Sequence, residues 1–219
     1  MKIPNYKIEL AILASGSGHV VGIDEVGRGC LAGPVVAAAV VLDPAAISKG
    51  RKAWHREVRD SKTLLPEKRF MLEPAIKHHS LGWGIGVVEP KKIDDLNIHN
   101  AGLLAMRQAV EDLRKTLKRF DAHGTPGSMH LLIDGRFIIP GYDMEQTAIV
   151  DGDASVLSIS AASIIAKTFR DRLMVKLHKK FPAYNFARHK GYATAEHRAA
   201  IRAHGLTAVH RLSFCGKFA

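Results

Sequence analysis

Cysteine chemistry is nearly absent from this chain. The two cysteines, Cys30 and Cys215, stand far apart with no CxxC pair, which excludes a zinc knuckle and a disulfide framework. Long hydrophobic runs are missing too. The longest apolar stretch, Leu31 to Leu42, is too short to cross a bilayer and contains Gly33 and Pro34, so no membrane partner is expected. The N-terminus lacks the apolar core of a signal peptide, because Ile8 to Leu13 is interrupted by Glu9 and runs into a Ser/Gly patch. A cytoplasmic location is the resulting expectation. There is no internal repeat and no low-complexity tract, and nothing demands an oligomer, so a monomer is expected. Acidic side chains are the minority, 21 Asp and Glu against 32 Lys and Arg, and the net charge of +11 calls for a polyanionic partner.

What is present is enough apolar material, 47% of 219 residues, to bury one sizeable core. Residues 1–18 end in Ala-Ser-Gly-Ser-Gly and read as a leader; 19–219 read as a single domain. Strands are expected at 19–26, 35–42 and 81–88. A strongly basic, polar connection at 43–69 follows the second strand and includes Lys49, Arg51, Lys52 and Lys62. Apolar residues at helical spacing run from Ile93 to Leu117, with Asn97 placed to cap an early turn. After a turn-rich 122–128, short strands are expected at Leu131-Leu132-Ile133 and Ala148-Ile149-Val150. A long helix from about Leu157 to Phe181 is small on one side and basic further on, and an amphipathic helix at about 194–204 closes the chain. The order is that of an α/β sheet domain.

The most informative stretch is Val20-Val21-Gly22-Ile23-Asp24-Glu25-Val26-Gly27-Arg28-Gly29. Here a strand-like apolar run delivers two adjacent carboxylates into a glycine-bracketed arginine turn. A desolvated carboxylate costs several kcal/mol unless a cation or donors compensate it, and the turn offers backbone and a guanidinium fork suited to phosphate. Two further acid sites lie at strand ends, Asp134 and the pair Asp151/Asp153. An Asp-Gly dipeptide taken alone is a turn, but three clusters at separate strand ends form a constellation. Oxygen-only ligands select a hard cation, Mg²⁺ or Mn²⁺, and two such ions can drive an in-line displacement at phosphorus. Asp24 and Glu25, being adjacent, would face opposite ways on a regular strand, so either the strand is distorted there or one of the two contributes differently, as through its backbone carbonyl.

With those residues in place the chain resembles ribonuclease HII, the type 2 ribonuclease H. The matching pieces run in family order from Gly22-Ile23-Asp24-Glu25-Val26-Gly27-Arg28-Gly29 through Gly33-Pro34-Val35-Val36, Asp60-Ser61-Lys62 and Leu96-Asn97-Ile98. They continue with Leu132-Ile133-Asp134-Gly135, Gly152-Asp153, Ser160 to Lys167, Phe181-Pro182, His189-Lys190-Gly191-Tyr192 and Ser213-Phe214. The resemblance implies a ribonuclease H-like mixed β-sheet flanked by α-helices, with a small helical C-terminal part. It implies four catalytic, metal-binding carboxylates, Asp24, Glu25, Asp134 and Asp153, holding two Mn²⁺ or Mg²⁺ ions. Gly27, Arg28 and Gly29 would contact the ribose 2′-hydroxyl and flanking phosphate at an RNA–DNA junction. Tyr192 would pack on the following deoxyribose, and Lys62 and Lys167 would contact phosphate. The implied substrates are RNA/DNA hybrids and DNA duplexes containing ribonucleotides, cut 5′ of the ribonucleotide to leave a 3′-hydroxyl and a 5′-phosphate.

This chain departs from the family in reading Asp151-Gly152-Asp153 where a lysine usually begins the triplet, which adds a negative charge near the proposed ligands. The alignment with the helix that follows favours Asp153. On charge alone Lys62 and Lys167 read as solvated surface, and His189 reads as a turn cap. Three rival readings fit the residues less well. Ribonuclease HIII normally carries an extra N-terminal domain and a turn other than Gly-Arg-Gly. A non-catalytic hybrid-binding protein predicts the loss of a carboxylate. A small-molecule phosphatase leaves the charge and the turn without a purpose.

Overall fold

The computed structural model describes residues 3–48, 54–117 and 128–216. Lys49, Arg51, Lys52 and nearly all of the turn-rich 122–128 segment lie outside the described residues. Five strands, β1 (His19–Val26), β2 (Val35–Leu42), β3 (Ser80–Val88), β4 (Met129–Asp134) and β5 (Glu145–Ile149), form one sheet in the order β3-β2-β1-β4-β5. The sheet is mixed: β1–β2 and β2–β3 are antiparallel, whereas β1–β4 and β4–β5 are parallel. Around it lie α1 (Lys7–Ala14), α2 (Pro44–Ser48), α3 (Trp54–Glu57), α4 (Pro66–His78), α5 (Pro90–Leu96), α6 (Ile98–Leu117), α7 (Leu157–Lys180), α8 (Phe186–His189), α9 (Ala195–His204) and α10 (Leu212–Cys215).

The two-residue period of a strand sorts side chains onto two cores. β2 is buried along its whole length. Val35, Ala37, Ala39 and Val41 join Val21, Ile23, Leu131 and Ile133 beneath α6. Val36, Ala38, Val40 and Leu42 face the other way, onto Leu72 and Ile76 of α4 and Leu157, Ala161, Ala162 and Ile165 of α7. A third cluster, with Leu31, Met174, Tyr184, Phe186 and Ile201, closes the C-terminal helices onto the body.

Several expectations are refined. The helical pattern from Ile93 to Leu117 is two helices, because Asn97 turns at φ +66° and its side chain accepts from Asn100 N–H at 3.1 Å. The last strand lies at 145–149, earlier than read, and Val150 is exposed beyond its end. Helix α4 escaped the sequence reading because its buried face carries charge as well as apolar residues. Arg69 donates to Ser61 O at 2.8 Å, and Glu73 takes both Lys77 (2.7 Å) and Arg172 (2.6 Å). Those paired ions hide the apolar period. Within the segment read as a leader, α1 packs on the body through Glu9, whose buried carboxylate accepts from Ser158 N–H at 2.9 Å in the first turn of α7. An anion there complements the positive end of that helix.

Candidate active site

The site follows from strand register. β1 and β4 run parallel with Ile23 beside Ile133, so Asp24 and Asp134 leave adjacent strands at the same level. Asp24 has the parity of Gly22 and points toward α7, where the Ser163 hydroxyl hydrogen-bonds its carboxylate. Ser163 is held in turn by Ser61 at 2.8 Å. Glu25 points to the opposite side and shares a small recess with His99, Met106, Asp134 and Phe137. The two acids therefore do face apart, yet Asp134, at the tip of its strand, acts on Asp24 and feels Glu25. β5 leads into the third acid cluster. Asp151 takes a left-handed conformation (φ +54°) and is exposed, while Asp153 folds inward and is 5% exposed. Asp134 Oδ1 accepts from the N–H groups of Gly152 (2.8 Å) and Asp153 (3.3 Å), locking the two loops together. Of the two candidate aspartates, it is Asp153 that the fold brings to the other carboxylates.

Electrostatics show how closely the four are packed. Burial, then Glu25, Asp134 and Asp153, push Asp24 well above the usual carboxylate range, against the Ser163 hydrogen bond. Burial and the charge of Asp153 raise Asp134 to about 6, although the backbone donors from Asp153 and Gly152 oppose the shift. Like charges that lift one another in this way share a site. Lys62 reaches in from an exposed position and places Nζ 3.0 Å from Asp153 Oδ2. Burial disfavours its charge, but Asp153, Asp24 and Asp60 hold its ammonium above the ordinary lysine value. Arg28 Nη1 lies 3.0 Å from Glu25 Oε1. Two cations thus face four carboxylates.

That donor set fits hard divalent cations: it is all oxygen and short of positive charge. Among the described residues, no three His, Cys, Asp or Glu side chains form a cation-holding group as they stand. Lys62 and Arg28 are the countercharges on the carboxylates instead.

Beside the acids lies the glycine-arginine turn. Gly27 is buried at φ +93°, and a Cβ there would stand 2.3 Å from Arg170 Nε, so neither the backbone nor the space admits a side chain. Arg28 and Gly29 are exposed. Tyr192 lies next to this segment through a bridge to Cys30, and the residue is 39% exposed. Lys167 belongs to the Tyr192 end of the site. Its Nζ binds Asp171 Oδ1 at 2.7 Å and stands 5.7 Å from the Tyr192 ring centroid. Burial lowers the Lys167 ammonium below its usual range, partly offset by Asp171. Beyond Tyr192 opens a cleft of about 570 Å³ between α4, α7 and the 188–192 turn, rimmed by Arg69, Lys167, Lys176, Arg188 and Lys190. His189 is buried and serves its own turn, with its Nε2 2.6 Å from Tyr184 O and its Nδ1 accepting from Gly191 N–H.

The sequence reading passed over Arg170, Arg211, His197 and His210, all of them buried. Arg170 donates to the carbonyls of Pro34 (2.9 Å), Lys190 (2.8 Å) and Ala32 (3.1 Å). In the sequence it is one of several basic residues along α7. No local pattern separates it from its solvated neighbours.

Comparison with known proteins agrees with this architecture. A sequence profile of the family described as Ribonuclease HII matches residues 21–217. Ribonuclease HII of Oleidesulfovibrio alaskensis is 48% identical over 203 residues, covering 88% of this chain and 77% of that one. Ribonuclease HII of Porphyromonas gingivalis is 46% identical over 195 residues, covering 89% and 88%. Among solved structures, ribonuclease H2 of Pyrococcus horikoshii OT3 superposes with a TM-score of 0.69 at 25% identity, covering 89% of this chain and 92% of that one. Bst-RNase HIII in complex with Mn²⁺ shares the fold, with a TM-score of 0.70 at 23% identity over 94% and 70% of the two chains.

Proposed function

From the chain's membership of the ribonuclease HII family, which makes it a ribonuclease H endonuclease, we propose that it hydrolyses the RNA strand of RNA/DNA hybrids. We further propose that it nicks duplex DNA on the 5′ side of a single embedded ribonucleotide, leaving a 3′-hydroxyl and a 5′-phosphate. The observation that carries this reading is the convergence of carboxylates from three strand ends beside a backbone-lined turn and an exposed tyrosine.

Asp24, Glu25, Asp134 and Asp153 are the proposed holders of divalent cations, Mg²⁺ or Mn²⁺. When bound, such ions supply an activated water and neutralise the leaving oxygen at phosphorus. The protein's own part is positioning. Backbone N–H groups of Gly152 and Asp153 orient the Asp134 carboxylate, and Ser163 orients that of Asp24. Lys62 balances charge on Asp153 and reaches toward solvent, placed for a phosphate oxygen. Gly27 and Gly29 let the chain approach the substrate closely, and Arg28, half-exposed, presents its planar fork. The 2′-hydroxyl, a donor and an acceptor, is what tells ribose from deoxyribose at this point. Tyr192 gives the next sugar an apolar face, with Lys167 beneath it. The basic cleft beyond Tyr192 continues the path of the duplex.

The test is cleavage of a DNA duplex containing one ribonucleotide in Mg²⁺, Mn²⁺ or chelator, with the product ends mapped. A metal-dependent nick 5′ of the ribonucleotide is expected. Binding with no nick under any metal overturns the catalytic reading in favour of a hybrid-binding protein.

A further inference from the structure

Three segments remote in sequence run side by side next to the proposed junction-reading residues. Leu31 N–H donates to Gly191 O at 2.9 Å, Gly33 N–H to Val209 O at 2.8 Å and Arg211 N–H to Leu31 O at 2.8 Å. Bridges pair Cys30 with Tyr192 and Ala32 with His210. The strip that continues from Arg28 therefore has the Tyr192 turn on one edge and residues 209–211 on the other.

The outer segment grips both partners with adjacent side chains. Arg211 is fully buried, and its fork donates to Gly33 O from Nε (3.0 Å) and Nη2 (2.9 Å) and to Arg28 O from Nη1 (2.9 Å). Burial lowers it to about 10, which leaves it charged at neutral pH. His210, one residue earlier, works toward the other edge. Thr207 N–H donates to His210 Nδ1 at 3.0 Å, so a neutral His210 carries its proton on Nε2. That nitrogen lies 3.2 Å from His197 Nε2, which must then accept, leaving His197 Nδ1–H to donate to Tyr192 O at 2.9 Å. The tautomers form one consistent chain from Thr207 to Tyr192. Burial lowers both imidazoles below the usual histidine range, in keeping with the neutral forms this chain needs. Asp94 anchors the far end by accepting from the N–H groups of Leu212 (2.8 Å) and Ser213 (3.0 Å).

We propose that His210 and Arg211 are positioning residues that together set the separation of Arg28 from Tyr192, and through it the preference for a single ribonucleotide in DNA over an uninterrupted hybrid. Asp24, Asp134 and Asp153 hang on β1, β4 and the loop after β5, with partners outside this segment, and Glu25 meets it only through the Arg28 guanidinium. Slackening it moves the sugar-reading pair while leaving those three aspartates in place. The inference rests on the reading that Arg28 and Tyr192 flank the RNA–DNA junction.

The experiment measures kcat/KM of the full chain on two substrates, a duplex with one ribonucleotide and a uniform RNA/DNA hybrid, and compares their ratio. His210→Phe preserves ring volume between Tyr184 and Phe186 but removes the hydrogen bonds to Thr207 and His197. Arg211→Lys keeps the charge and loses the fork. Each should lower the single-ribonucleotide-to-hybrid ratio by about tenfold or more, the scale of loss for a displaced positioning group. His197→Asn, which can still donate to Tyr192 O, should keep more of the ratio than His197→Phe. Both rates come from one preparation, so a partly unfolded fraction cancels and a merely structural role leaves the ratio unmoved. A wild-type ratio in both His210→Phe and Arg211→Lys overturns the proposal. A wild-type protein that cuts hybrid but never nicks the single-ribonucleotide duplex overturns instead the junction reading beneath it, and the proposal falls with it.

Discussion

Replacing Gly22 with alanine adds one methyl group at the closest approach of β1 to α7. Its Cβ would stand 2.2 Å from Ser158 C and 2.5 Å from Ile159 N, both backbone atoms of the helix. Ordinary contact begins at 3.4 Å, so strand and helix must part by about 1.2 Å, with no flexible side chain to yield. Overpacking of this kind costs about 1–3 kcal/mol, because cores shift as units rather than deform locally. The functional loss should be larger than the stability loss suggests. The first turns of α7 carry Ser160, which holds Asp153 O at 2.6 Å, and Ser163, which orients Asp24, while β1 carries Asp24 itself two residues past Gly22. Displacing one relative to the other by about 1 Å can cost on the order of a hundredfold in rate. Urea denaturation and metal-dependent cleavage of a hybrid, measured on Gly22→Ala beside wild type, test this directly. A variant with unchanged denaturation midpoint and unchanged rate would refute the claim that α7 and β1 are pinned at this point.

Asp134→Asn should abolish cleavage while retaining binding of an RNA/DNA hybrid, since it removes one proposed ligand charge; activity near wild type in a cleavage assay would remove Asp134 from the site. Arg28→Ala should depress nicking of single-ribonucleotide duplexes more than the melting temperature, and equal rates for variant and wild type would end its assignment. Hybrid affinity should fall steeply with salt, with a log–log slope of roughly −0.9 per phosphate neutralised, and a flat response in a fluorescence titration would contradict the phosphate contacts. Stability should also fall in mild acid. His210 titrates at about 4 when folded against an ordinary 6.5, so the unfolded chain binds its proton first as pH drops. The contribution of its neutral form is whole above pH 6.5 and erodes toward about pH 4. His210→Phe should flatten that part of the urea-derived stability profile, and an unchanged slope would show that His210 is not buried neutral.

The parts of the fold legible in the sequence are those whose physics is local. β1 and β2 are apolar runs of β-branched and small residues bounded by glycine, and they appear at 19–26 and 35–42 as read. The long helix α7 starts at Leu157 as read, small in its first half and basic in its second, and Thr194 caps α9 through His197 N–H. The carboxylates stood out because acids inside apolar strands are costly and therefore purposeful. The alternation of side chains left open whether Asp24 and Glu25 point apart or the strand is distorted there, and the regular pairing of β1 with β2 decides for the first.

Tertiary structure alone decided the rest, because the deciding forces act between residues distant in sequence. Only the parallel register of β1 and β4 shows how Asp134 can act on Asp24 and also feel Glu25. Only the left-handed turn at Asp151 separates the exposed aspartate from the buried one. Helix α4 stayed hidden because ion pairs to α7 occupy positions that a local reading expects to be apolar. Arg170 and Arg211 look like surface charges until the carbonyls they hold arrive from residues more than a hundred positions away. A sequence displays the cost of burying a charge as a pattern of residue types. What compensates that charge, and so what the residue is for, exists only once the chain has closed on itself.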